Sequence, residues 1–158
     1  KNPMIKSAQV YYNLDGYIHV NIQQREPVLR VLTGEGYYVD RDGRVMPLSS
    51  KFTSRVVVAT GDINKKFACE KLGPFAMKLK NEPFWDAYIE QLVVRSNEDV
   101  VMIPKVGDFR IVLGKVDDCD ARLEKLILFL KDGITKKGWN RYKEINLKFD
   151  NQVVCVRK

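Results

Sequence analysis

Short alternations of apolar and polar residues, separated by turn sequences, run through this chain and constrain most of it to form β-sheet. Within 17–24, Ile18, Val20 and Ile22 alternate with Tyr, His and Asn, and a period of two places them on one face of a strand. The sequence Asn-Leu-Asp-Gly at 13–16 is a hairpin turn signal that joins this strand to one at 9–12. Further strands are predicted at 28–32, 37–40, 45–48, 55–60, 90–95, 100–104 and 109–113.

Helical spacing replaces this alternation in three segments. The first begins near Asn64, and Pro74 within it predicts that a second helix begins at the proline. A short helix is predicted after Pro83. The clearest helix covers 120–131, where the spacing i, i+3, i+4, i+7 is met by Leu123, Leu126, Ile127 and Leu130. Its N-terminus is expected to be capped by the nearby carboxylates Asp117, Asp118 and Asp120.

The order of these elements predicts an α+β fold. A hairpin, a meander, helices, a second meander, a helix and a final hairpin indicate a large, mainly antiparallel (mixed) β-sheet with helices on one face. The sequence Arg-Glu-Pro at 25–27 interrupts the strand pattern, because proline has no N–H and restricts the residue before it to extended geometry. We therefore expect a junction between two structural units at this point.

The last hairpin is the element that points most directly to a function. Residues 145–149 alternate between apolar and polar, Asp150-Asn151 is a two-residue turn that tolerates positive φ, and 152–156 returns as a strand. Only Arg157 and Lys158 follow it. If this strand lies at a sheet edge, its N–H and C=O groups are open to pairing with another chain.

The net charge of +7 has three possible explanations: binding to nucleic acid, binding to an anionic membrane surface, or a solvated charged surface. The basic residues are scattered, with no run of five and no basic stripe on a helix. Phosphate binding needs clustered cations, so solvated surface is the favoured interpretation. No apolar run approaches the ~18–20 residues of a membrane span. The chain begins with Lys, and we expect it to be a piece of a longer protein whose N-terminal part could hold an anchor.

The residue types of catalytic and metal sites are present but do not form recognisable patterns. His19 is the single histidine and is predicted on the polar face of a strand, without the partners of a triad or zinc site. The sequence Asp-Arg-Asp-Gly at 40–43 resembles the start of a calcium loop, but Lys51 occupies the position of the required glutamate, so a tight turn is predicted. The three cysteines form no CxxC motif. No catalytic residue, metal or cofactor is predicted.

Three motifs occur in a specific order along the chain. The first is a hairpin that ends in Arg-x-Pro and includes Ala8, Val10, Gly16, Ile18, Val20, Arg25 and Pro27. The second is a turn of the form hydrophobic-Asp-x-x-Gly-x-hydrophobic, at Val39, Asp40, Gly43 and Val45. The third joins a strand at 107–114, a Lys- and Leu-rich helix and the hairpin sequence Ile-Asn-Leu-Lys-Phe at 145–149. Together they resemble the FtsQ/DivIB family of bacterial cell-division proteins, in the version found in Bacteroidetes.

This resemblance implies that 1–25 is the C-terminal hairpin of a truncated POTRA domain and that 26–158 is the FtsQ-type β domain. It implies a non-enzymatic divisome scaffold on the periplasmic side of the inner membrane, anchored by an N-terminal helix absent from this sequence. The implied partners are FtsB and FtsL-like proteins, with no cofactor, small-molecule substrate or nucleic acid. Strand addition would use the contact positions Lys148, Phe149, Asn151, Val153, Cys155 and Arg157.

Functions from other classes stay open at this point. A basic nucleic-acid-binding module would use the positive charge, and another cell-envelope assembly or adhesion domain would use the same sheet. A small hydrolase is the weakest alternative, because one histidine and no paired nucleophile leave little from which to build an active site.

Overall fold

The computed structural model describes residues 2–134 and 138–158, and it contains two separate sheets. The first is an antiparallel ribbon of β1 (Ile5–Tyr12) and β2 (Ile18–Gln24), paired so that Val10 lies opposite Val20. The two strands direct their apolar side chains to the same face, as the alternation predicted. That face is uncovered in the described part of the chain, and Val20 is 54% exposed.

The second sheet has nine strands and follows the junction at Pro27. Its strands are β3 (Pro27–Val31), β4 (Tyr37–Asp40), β5 (Val45–Pro47), β6 (Val57–Gly61), β7 (Ile89–Arg95), β8 (Asp99–Pro104), β9 (Arg110–Gly114), β10 (Tyr142–Asn146) and β11 (Val154–Arg157). They are ordered β11-β10-β9-β8-β7-β6-β3-β4-β5 across the sheet. Parallel pairing joins β3 to β6, β6 to β7 and β9 to β10, while the other neighbours are antiparallel. The predicted mixed sheet is therefore confirmed.

The helices lie in the connections between parallel strands, where a chain must cross from one end of the sheet to the other. Between β6 and β7 the chain forms α1 (Lys65–Phe67), a π-helical turn (Ala68–Leu72), α2 (Gly73–Asn81) and α3 (Pro83–Tyr88). Between β9 and β10 it forms α4 (Asp120–Phe129), which continues into a π-helical turn (Leu130–Ile134). Short 3₁₀ turns occupy Ser96–Glu98 and Trp139–Arg141. In the part of the chain that the structure describes, no helix is both long and apolar enough to cross a membrane.

One apolar core joins the helices to the sheet. Strand residues such as Leu92, Ile111 and Ile145 pack with helix residues such as Leu72 and Leu126, and all five are fully buried. Their positions follow the period of two on the strands and the apolar stripe on α4. The segment that carries Lys71 and Lys78 lies beside the start of α4, because these lysines pair with Asp117 and Asp120.

One local prediction about the helices is confirmed in part and another is wrong. As predicted, a separate helix α2 begins beside Pro74, with the proline in its first turn. The backbone stays helical through Pro74, because the N–H of Gly73 donates to the carbonyl of Ala68 and the wider π turn accommodates the proline. At the start of α4, no side chain caps the first turn. Its carboxylates instead pair with the preceding helical segment, as Asp117 accepts from Lys71 at 2.8 Å and Asp120 accepts from Lys78.

The junction between the two sheets is held by a buried ion pair. Asp40 at the end of β4 accepts a hydrogen bond from Arg25 Nη1 at 2.8 Å, and its other oxygen accepts from the backbone N–H of Asp42 and Arg44. The segment 40–43 is thus the tight turn that its sequence predicted. At the surface beside it, Lys6 of the ribbon pairs with Asp42 at 2.9 Å.

Candidate partner-binding edge

Strand β11 lies at the end of the nine-stranded sheet and pairs with β10. In the described residues no strand lies on its other side. Ile145 is opposite Cys155, and Asn146 is opposite Val154. The sequence left open whether the terminal strand lies at a sheet edge, and the structure places it there. An edge strand presents backbone donors and acceptors that a further strand can pair with.

The side chains of β11 alternate between two environments. Cys155 lies on the helix-covered face and packs partly against the core, and this burial raises the pKa of its thiol. Val154 and Val156 lie on the opposite face and are 37% and 42% exposed. The strand therefore exposes two small apolar side chains and the backbone N–H and C=O groups on the side away from β10.

The hairpin loop is longer than its sequence predicted. The strand ladder ends at Asn146 and Val154 instead of continuing to the Asp150-Asn151 turn. The N–H of Leu147 donates to the carbonyl of Val112 in β9, and the N–H of Lys148 donates to the Asn146 side chain at 3.0 Å. Residues 147–153 form the loop between β10 and β11. Asn151 has φ +57°, which agrees with its predicted tolerance of positive φ.

The positions implied by the family resemblance fall into two groups. Phe149, Asn151 and Arg157 are exposed along the loop and the strand, where a second chain can reach their side chains. The other three are engaged within the domain. Val153 and Cys155 pack partly against the core, and Lys148 pairs with Asp99 at 3.1 Å.

Three residues that contribute to this edge were not among the predicted contact positions. Val154 and Val156 are apolar and exposed, and the alternation in 152–156 could have identified them as the face opposite Cys155. Lys125 on α4 donates to the carbonyls of Leu147 at 3.2 Å and Phe149 at 2.6 Å. No sequence signal connects a helix lysine with a loop 22 residues later.

The charges beside the edge are largely balanced within the domain. On the face that carries Val154 and Val156, Glu144 lies 4.0 Å from Arg95 and 3.9 Å from Arg110. Lys158 pairs with Asp108 at 2.8 Å, and its hydrogen bond lowers the pKa of that carboxyl. These charged side chains beside β11 therefore already have partners within the domain.

The other candidate residues do not form a reactive site. His19 lies on the exposed polar face of β2 and stacks on Tyr11, with ring centroids 5.1 Å apart. Among residues 2–134 and 138–158, no group of three or more His, Cys, Asp or Glu side chains could hold a metal ion. The described cysteines are free thiols.

A family model described as "FtsQ/DivIB, C-terminal related" matches residues 26–156. The matched region begins at the junction before β3 and includes β11 almost to its last residue. No curated protein matches the chain significantly.

Proposed function

The chain belongs to the FtsQ/DivIB, C-terminal related family, and from that premise we propose that it binds FtsB and FtsL through strand addition at β11. The family is one of non-enzymatic cell-division scaffolds that act within the divisome together with other division proteins. The general role of this chain in cell division follows from its membership of the family. The named partners and the binding edge are the proposal.

The observation that carries the proposal is the single-sided pairing of β11. Among the described residues β11 pairs with β10 alone, at the end of the nine-stranded sheet, and such a strand is a ready template for an extended segment of another chain. Main-chain hydrogen bonds would supply most of the pairing. The exposed side chains of Phe149, Asn151 and Arg157 would supply selectivity, while Val153 and Cys155 would contribute through their backbone.

We further propose that the β1–β2 ribbon is the end of a POTRA domain and that the protein works at the periplasmic side of the inner membrane. The uncovered apolar face of the ribbon supports this assignment. Two strands alone are marginally stable in water, and such a face is normally covered by further structure.

A proline scan of β11 tests the binding edge. Proline would be placed in turn at Val154, Cys155 and Val156, and affinity for the periplasmic segments of FtsB and FtsL would be measured by calorimetry. In an edge strand, alternate residues direct their N–H toward the neighbouring strand and toward solvent. Proline at an outward N–H should keep the urea midpoint and weaken binding about tenfold or more, which corresponds to one lost hydrogen bond of about 1.4 kcal/mol.

Hydrogen exchange of the free protein provides the control, because it identifies which of the three amides point outward. The same amides should become protected when the partner binds. The proposal is wrong if proline at the outward positions leaves the affinity unchanged, or if the affinity falls only in variants that also unfold.

A further inference from the structure

We propose that Lys125, on helix α4, positions the partner-binding edge by holding the loop that leads into β11. The inference rests on the proposed function for the statement that a partner binds at this edge. The placement of the loop itself rests only on contacts within the chain.

The ammonium of Lys125 bridges two points of the loop. It lies 3.2 Å from the carbonyl oxygen of Leu147 and 2.6 Å from that of Phe149, and it donates to both. Leu147 is fully buried in the core, whereas Phe149 is 47% exposed. One side chain therefore connects the last residue fixed by the sheet to the exposed aromatic residue of the loop.

These two carbonyls lie beyond the strand ladder, which ends at Asn146. The bond to Leu147 is partly buried, and a carbonyl there needs a donor to replace the water it loses, whereas the bond to Phe149 is exposed. A charged donor makes a stronger bond than a neutral one. Lys125 provides that donor from a neighbouring element. Among the described residues no carboxylate lies within 4.0 Å of its ammonium, so its bonds serve the main chain rather than balancing a local charge.

A second basic residue on the same helix shows the same geometry. Arg122 donates to the carbonyls of Leu113 and Asp117, both at 2.7 Å. Residues at i and i+3 lie on the same side of a helix, so Arg122 and Lys125 extend from α4 to the ends of two neighbouring parallel strands, β9 and β10. Helix α4 thereby fixes both strand ends, and Lys125 is the contact that continues into the terminal hairpin.

Loss of the ammonium would release the loop 147–153 without opening the core beneath it. The loop would then sample several conformations, and a partner would have to order Phe149 and the start of β11 when it binds. The ordering cost lowers affinity without removing any contact to the partner. Lys125 is thus a positioning residue for the edge.

The test compares Lys125→Met, which keeps most of the aliphatic stem, with Lys125→Arg, which keeps a charged donor. In the free protein, hydrogen exchange measured by mass spectrometry should be faster in 147–157 for Lys125→Met and close to the parent for Lys125→Arg. Affinity for the FtsB and FtsL segments should fall about tenfold in the Met variant and recover in the Arg variant. Lys78→Met, which removes an ammonium paired with Asp120, is the matched control and should leave exchange in 147–157 unchanged.

The exchange measurement needs no partner, so the two proposals fail in different ways. Unchanged exchange in Lys125→Met overturns the positioning role. Faster exchange with unchanged affinity overturns its importance for binding. If exchange is faster but neither parent nor variant binds FtsB and FtsL, the loop-holding role is supported and the proposed function is overturned.

Discussion

Asp40→Asn should be among the most destabilising conservative changes in this chain. Asp40 is 2% exposed, and it accepts from Arg25 at 2.8 Å and from the backbone N–H groups of Asp42 and Arg44 at 2.9 and 2.8 Å. The side-chain oxygen of asparagine can still accept hydrogen bonds from the backbone N–H groups of Asp42 and Arg44. Its amide group would then face the guanidinium of Arg25, so the cation would lose its counter-ion and two donors would oppose each other.

The size of the effect follows from the burial of both partners. Removing one member of a buried ion pair costs about 3–5 kcal/mol, largely because the other charge is left without compensation. The side chain of Arg25 is 12% exposed and retains some contact with water, and the turn keeps its amide bonds. We therefore expect about 3 kcal/mol, at the lower end of that range. With a urea m-value of about 2 kcal/mol/M, the unfolding midpoint should fall by about 1.5 M.

Two further variants separate this explanation from a general intolerance of the turn. Asp42→Asn makes the same chemical change at a carboxylate that pairs with Lys6 on the surface, where both side chains are 42% exposed, and it should barely move the midpoint. Combining Arg25→Met with Asp40→Asn removes the uncompensated cation, so the double variant should be more stable than Asp40→Asn alone. The reasoning is refuted if Asp40→Asn and Asp42→Asn shift the midpoint equally.

Two other predictions concern pH and backbone geometry. The hydrogen bond from Lys71 holds the pKa of Asp117 below its ordinary value, so this pair stabilises the fold above that ordinary value and is lost as the pH falls through the lower folded one. The urea midpoint of Asp117→Asn should therefore lie below that of the parent at neutral pH and converge with it below about pH 4; a constant difference would contradict this. Gly61 has φ +105°, and a Cβ there would lie 2.1 Å from the carbonyl oxygen of Val94, so Gly61→Ala should lower the thermal midpoint far more than Gly34→Ala. Gly34 has φ +65° with open space around it, and alanine there should cost only the roughly 1 kcal/mol of left-handed strain; equal losses would refute the steric argument.

Local periodicity was sufficient to predict the framework of this fold. Side chains such as Ile18, Val20 and Ile22 alternate strictly, and a period of two leaves no other regular structure that would place them on one face. Leu123 and Leu126 mark the buried side of α4 in the same way, and both are buried in the core. The order of the elements then restricted the architecture to a sheet covered by helices.

Two of the errors occurred where a distant group supplied a bond that the local sequence could not reveal. The hairpin loop predicted at Asp150-Asn151 was too short. A turn is present there, with Asn151 at φ +57°, but the β10–β11 ladder already ends at Asn146 and Val154, and Lys125 binds carbonyls of the longer loop. Asp117 was expected to cap its own helix, but Lys71 of another helical segment binds its carboxylate. These contacts join residues that are far apart in sequence and form only after the chain has folded, so local sequence patterns do not predict them.

The parallel pairing of β9 with β10 has a consequence for how the domain folds. The two strands are separated in sequence by residues 115–141, so their alignment requires closure of a long loop before any ladder bond compensates for the lost chain entropy. The β10–β11 hairpin is local and can form early, but it becomes the border of the large sheet only when that closure is complete. The availability of this edge is therefore coupled to completion of the tertiary structure, and a partly folded chain would not present the same surface.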